Sequence, residues 1–213
     1  MMLRKIFWED PYLMECDATI TKVNGSRVNV DQTVAYAFNG GQESDYGTIG
    51  GFAITEAKKD GLDIVYTLAN HNLSVGDKVK IIIDDKRRYN LMRLHFCGDL
   101  VLQIIMTRYP DIERIGAHVA QDKVRIDFNL DFSIGTMFDW VQAELDRVIA
   151  ADYPIETGFV DEVKQIRYWK AGEYGPTNCG GTHVRSTKEI GKIRLKRKNV
   201  GHNKERIEMM FAE

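Results

Sequence analysis

Between Lys86 and Arg108 the chain changes its hydrophobic period, and this more than any other feature limits how it can fold. Leu91, Leu94, Gly98, Val101, Leu102 and Ile105 recur every three or four positions, and Pro110 supplies a stop, which predicts an α-helix. Upstream the period is two: Cys16 to Val23 alternates, Asn24-Gly25 signals a hairpin, and Arg27 to Asp31 returns. Further strands are expected over Gly61 to Leu68 and Val79 to Asp84, with Gly40-Gly41, Gly47 and Gly50-Gly51 as punctuation. Many short strands broken by glycine predict a small β-barrel or sandwich over residues 1–85. Downstream, strands are expected at Ile115 to Val119, Lys123 to Phe128, Val163 to Trp169 and Lys192 to Lys196, and a helix over Gly135 to Ala151. Without regular β-α alternation, this predicts an α+β domain over 86–213.

The 213 residues carry a formal net charge of −2 with 44% hydrophobic side chains, an ordinary globular balance that argues against indiscriminate binding of polyanions. The apolar runs are too short to span a bilayer or to act as a signal peptide, and three scattered cysteines are too few for a disulfide framework. A cytoplasmic location is expected, with no membrane association and no obligate protein partner to be inferred. Charge is nevertheless uneven: from Arg185 to Arg206 nine Lys or Arg stand against two Glu. Lys192, Arg194, Lys196 and Lys198 in this stretch suit contact with phosphates, although lysines along a strand edge also serve simply to deter aggregation.

Two pairs of side chains carry the chemistry. On the predicted helix, His95 and Asp99 are one turn apart and share a face, expected to be exposed, whereas Cys97 points elsewhere. Near the C-terminus, Cys179-Gly180-Gly181-Thr182-His183 brings a thiol and an imidazole four positions apart. Its glycines are expected to permit backbone angles that turn both side chains to one point. Zinc takes Cys sulfur, His nitrogen and Asp oxygen, usually four in a tetrahedron, so one pair from each segment would complete a shell. Taken singly, His95 and Asp99 also read as ordinary residues of a helix surface. His71, His118 and His202 have no partner at ligand spacing. From Asp31 to Gly47 a glycine-rich stretch offers the Thr33 hydroxyl and the Gln42 amide beside Gly40 and Gly41, a suitable lining for a small polar ligand or simply a turn that shapes the barrel.

These segments resemble the free-standing alanyl-tRNA editing proteins of the AlaX group, in the medium form that keeps a glycine-rich module. Asp31-Gln32-Thr33 through Gly40-Gly41-Gln42 and Asp45-Tyr46-Gly47 resembles that module. Arg87-Arg88 through Met92-Arg93-Leu94-His95 resembles the approach to the first ligand pair. Cys179-Gly180-Gly181-Thr182-His183-Val184, Glu189-Ile190-Gly191 and Glu205-Arg206-Ile207-Glu208 resemble the C-terminal signature. The resemblance implies a glycine-rich β-barrel followed by an editing domain of the threonyl/alanyl-tRNA synthetase second additional domain type. It implies an enzyme that hydrolyses the ester of serine or glycine on mischarged tRNA(Ala), with zinc on His95, Asp99, Cys179 and His183. Thr33, Gly40, Gly41 and Gln42 would then line the substrate pocket, Thr33 reading the serine hydroxyl. The family has a second His where this chain has Asp99, a small hydroxyl residue where it has Phe96, and Pro and Gly where it has Ala37 and Asn39. A thiolate and a carboxylate on one Zn²⁺ give a centre of zero formal charge instead of plus one. A non-catalytic tRNA-binding relative and an editor of another aminoacyl-tRNA are the alternatives.

Overall fold

Strict alternation of buried and exposed residues along the strand Lys78–Ile83, with Val79, Ile81 and Ile83 turned inward, sets the pattern for the N-terminal part of the chain. The computed structural model describes residues 2–212. It divides into two compact units, Met1–Asn39 with Glu43–Tyr89, and Gly40–Gln42 with Asn90–Glu213.

In the first unit, β1 (Arg4–Lys5) and a single helical turn, α1 (Ile6–Glu9), precede β2 (Glu15–Asn24) and β3 (Arg27–Val30), which form the hairpin expected at Asn24-Gly25. The short β4 (Gln32–Thr33) pairs in parallel with β1. After the glycine-rich stretch come β5 (Gly47–Ile49), β6 (Phe52–Asp60), β7 (Asp63–Leu68) and β8 (Lys78–Ile83). Pairing runs β2-β3-β7-β6-β5-β8 and returns to β2, so the six-stranded ladder closes on itself and leaves no edge among these strands. Inside it lie Ile20, Val28, Val30, Ile49, Ile64, Tyr66, Leu68 and Ile81. Burial of each such aliphatic side chain stabilises the fold by about 1.5–3 kcal/mol.

Helix α2 (Asp85–Arg108) follows directly. Its first turn belongs to the first unit, where Arg88 and Asp45 form an ion pair with both side chains 0% exposed. Arg88 also donates to the carbonyls of Val34 and Pro11, at 2.5 and 2.9 Å, and Asp45 accepts from the Tyr36 N–H at 2.7 Å. The pair thus grips the glycine-rich stretch on both sides of Gly40–Gln42.

In the second unit the remainder of α2 is buried on almost every side: Leu91, Met92, Leu94, Phe96, Cys97, Leu100, Val101, Ile104 and Ile105 are all 0% exposed. A helix so enclosed is a core element and not a surface one. An antiparallel sheet of four strands has the order β14 (Ile193–Gly201), β15 (Lys204–Phe211), β10 (Lys123–Asn129), β9 (Glu113–Val119). A second antiparallel sheet is formed by β11 (Glu156–Asp161), β12 (Ile166–Ala171) and β13 (Tyr174–Asn178). Helix α3 (Phe138–Ala151) buries Val141, Leu145 and Val148. The strand expected from Val163 begins only at Ile166, because Glu162 to Gln165 form the turn between β11 and β12, with Gln165 at φ 54°. No helix among the described residues is long and apolar enough to cross a membrane.

The Arg88–Asp45 pair yields a stability test. Removing one partner leaves an uncompensated buried charge, so Asp45→Ala is expected to lower the free energy of unfolding by roughly 3–5 kcal/mol in urea titrations. A loss below about 1 kcal/mol would show that water reaches the guanidinium once the carboxylate is gone.

Candidate metal centre

Because α2 is enclosed, His95 and Asp99 do not stand on an exposed face as expected: His95 is 6% exposed and the Asp99 side chain 20%. They point instead into the second unit, where the loop after β13 delivers Cys179 and His183. One ligand atom from each of the four residues lies within 4.8 Å of every other. Cys179 Sγ is 3.4 Å from both His95 Nε2 and His183 Nε2, and Asp99 Oδ2 is 3.8 Å and 3.5 Å from those same nitrogens. A tetrahedron with zinc bond lengths has edges of roughly 3.3–3.8 Å, so the donor set and its spacing fit a zinc ion.

The CGGTH loop reaches the helix for a reason of space and not of backbone angle. Neither Gly180 nor Gly181 has a positive φ, contrary to the expectation from sequence. A Cβ on Gly181 would run into the His95 ring and would stand 2.8 Å from Gln42 Oε1. Gly41, at φ +92°, performs the matching service for the glycine-rich segment. A Cβ there would lie 2.8 Å from the Ala117 carbonyl oxygen, and without one the segment pairs with the end of β9, Val119 N–H donating to Gly41 C=O at 2.8 Å. This registers Gln42, which is fully buried, against His95.

Gln42 fixes the tautomer of His95. Its Oε1 accepts from His95 Nδ1 at 2.5 Å and from the Thr182 N–H at 3.1 Å, while its Nε2 donates to Thr182 Oγ1 at 2.9 Å. The backbone donor at Thr182 requires an oxygen there, so the amide has one orientation. His95 Nδ1 must then carry the proton, leaving the Nε2 lone pair directed at the cluster. Burial pushes the His95 imidazole down to about 4, outweighing the opposite pull of Asp99, so the ring is neutral at pH 7. For Asp99, burial opposes ionisation but is outweighed by the two imidazoles and by hydrogen bonds from His183 and Cys179, which hold it at about 2. Burial, and next the Asp99 carboxylate, drive the Cys179 thiol well above its usual range.

Sequence reading missed Trp169. Its indole Nε1–H donates to Asp99 Oδ2 at 3.0 Å, and its ring meets Phe96 edge-on with centroids 4.9 Å apart. A fully buried tryptophan inside an undistinguished strand gives no signal in the sequence. Of the other expected residues, Thr33 lies in the first unit with its hydroxyl 2.8 Å from Tyr66 Oη and accepting from the Ala35 N–H at 3.0 Å. Lys192, Arg194, Lys196 and Lys198 are exposed along and just before β14, the edge strand of its sheet. Cys97 is enclosed, burial pushing its thiol up to about 12.

Residues 172–208, which include Cys179 and His183, match the family described as threonyl and alanyl tRNA synthetase second additional domain. That places this segment in a class shared by two kinds of synthetase. Over nearly its whole length, 98% of it, the chain is 30% identical to the alanyl-tRNA editing protein AlaX-M of Pyrococcus horikoshii, 97% of which is covered. It is 29% identical to AlaX-M of Methanosarcina barkeri, covering 97% of this chain and 98% of that one. It is also 29% identical to AlaX-L of Pyrococcus horikoshii, of which it spans 54%. The chain belongs to the AlaX-M family of alanyl-tRNA editing proteins.

If the Gln42 amide orients His95, Gln42→Leu should weaken zinc binding roughly 10–100-fold, the usual cost of losing a partner behind a metal-binding histidine. Competition with a chelating dye would measure this. Equal affinities in the two proteins would show that the ring holds its position unaided.

Proposed function

We propose that the chain is a trans-editing deacylase that hydrolyses the ester of serine or glycine on mischarged tRNA(Ala), with zinc as its cofactor. The observation that carries this reading is the gathering of two imidazoles, a thiol and a carboxylate at tetrahedral spacing within a chain of this family. Zinc bound there would supply a Lewis acid for the ester carbonyl or for water. The protein's own part is to present His95 Nε2 unprotonated, to keep Asp99 ionised, and to hold Cys179 where a cation displaces its proton. No side chain of the cluster is assigned as a nucleophile.

In this reading residues 1–85 are the glycine-rich β-barrel domain and 86–213 the editing domain, acting in the cytoplasm. Gly40, Gly41 and Gln42 border the substrate, and Thr33 reads the serine hydroxyl. Tyr66 Oη–H donates to the Ala35 carbonyl, so Thr33 must donate to Tyr66 and accept from Ala35, which leaves its oxygen one lone pair. A site that binds a hydroxyl in this way discriminates against alanine, which lacks it. The alternating positions Lys192, Arg194, Lys196 and Lys198 lie on one side of β14, opposite buried Ile193, and are assigned to tRNA phosphates.

Release of labelled amino acid from tRNA(Ala) charged with serine, glycine or alanine tests the reading. Serine is expected to be released, alanine spared, and Cys179→Ala to reduce release at least 100-fold, in line with the loss of a metal ligand. Negligible and equal turnover by both proteins, with tRNA still bound, would establish a non-catalytic relative. The raised Cys179 thiol sets the pH dependence. Its ligating form is the thiolate, while His95, at about 4, is already unprotonated at neutral pH. Zinc affinity should therefore rise about tenfold per unit between pH 7 and 8, with one proton released per ion. Calorimetry in buffers of different ionisation enthalpy reads that proton directly, and a slope of zero would remove Cys179 from the ligand set.

A further inference from the structure

The sheet β11-β12-β13, whose last strand leads into Cys179, also carries an arginine and an exposed aromatic ring. Strand parity puts Arg167 and Trp169 on one face of β12, the face whose Trp169 indole donates to Asp99. On β11, Phe159 lies directly opposite Arg167 and Thr157 opposite Trp169, so both share that face. On the other side of β12, the Cys179 N–H donates to the Arg167 carbonyl at 2.9 Å. Phe159 is therefore two strand spacings, about 10 Å, from Cys179 along one continuous surface. The Arg167 guanidinium, itself buried, sits 4.7 Å from the centre of the Phe159 ring and donates to Thr157 Oγ1 at 3.2 Å. Phe159 is nevertheless 40% exposed.

We propose that Phe159, backed by Arg167, is the stacking seat for the terminal base of the RNA whose ester the cluster receives. This rests on the editing reading above. An aminoacyl ester sits on the ribose of the last nucleotide, and the base of that nucleotide lies one sugar beyond it, a span of the order separating Cys179 from Phe159. Single-stranded ends are held by stacking on aromatic rings and arginine planes, and a cation beneath the ring adds to its hold on a base. The competing occupant is a second copy of the chain, for which exposed Val160 and Val163 at the tip of the same hairpin would provide apolar contact.

The test uses the zinc-loaded full chain with two small substrates, the 3′-seryl ester of adenosine and the seryl ester of a ribose lacking the base. Phe159→Ala should raise KM for the adenosine ester about tenfold, the usual size for one lost stack, with kcat unchanged. It should leave KM for the base-less ester as it is, and Phe159→Trp should restore the adenosine value. An unchanged KM for the adenosine ester in Phe159→Ala, with an active wild type, overturns the stack alone. The same result accompanied by dissociation of an oligomer assigns the hairpin to self-association and also overturns it. A wild type inert toward both esters and toward seryl-tRNA(Ala) overturns the editing reading, and the stacking seat falls with it.

Discussion

The hydrogen bond from His95 Nδ1 to Gln42 Oε1 joins three stretches of chain that have no local reason to meet. Gln42 arrives from the glycine-rich segment, His95 from the middle of α2, and Thr182, which takes both ends of the Gln42 amide, from the loop between Cys179 and His183. Each such bond is worth about 1 kcal/mol net, yet leaving any of these buried groups unpaired would cost about 1–3 kcal/mol. Satisfaction is therefore all or nothing. The same relay sets the proton on His95 and ties down the CGGTH loop. The geometry of the His95, Asp99, Cys179 and His183 cluster is thus inherited from a polar network one layer behind it.

The parts legible in the sequence were those where one physical signal acted without interference. Helix α2 stood out because its apolar positions keep a steady period, the β2-β3 hairpin because Asn24-Gly25 interrupts two alternating runs, and the ligand pairs because thiol, imidazole and carboxylate are rare at such spacing. The exposure of His95 and Asp99 was misjudged, since shared helix position says nothing of what covers that face. Strand β15 went unseen because it buries charge: Glu205 takes Arg197 at 2.6 Å, and Glu208 lies 3.4 Å from Lys123, so alternation reads as polar noise. Strand β11 is exposed on both faces over much of its length and offers no alternation at all. Strand β13 contains Gly175 and Pro176, which on sequence argue for a loop.

The basic stretch is also more selective than its composition indicates. Arg197 is engaged by Glu205 and Arg206 by Asp127, both at 2.6 Å, so these two cations serve the sheet. What stays turned outward is the alternate series on β14, a narrow ridge spaced by the strand repeat of roughly 6–7 Å between like-facing residues.

Trp169 touches both residues by which the helix departs from the family pattern. Phe96 packs against its ring, and Asp99 accepts its N–H. Positions 96 and 99 thus meet on one side chain: the Phe96 ring lies edge-on to the indole, and the Asp99 carboxylate accepts its N–H. An imidazole at 99 that used one nitrogen for a metal would have only a donor left to face the Trp169 N–H. Changing Asp99 alone to histidine would therefore leave the Trp169 N–H without its acceptor, at a cost of about 1–3 kcal/mol.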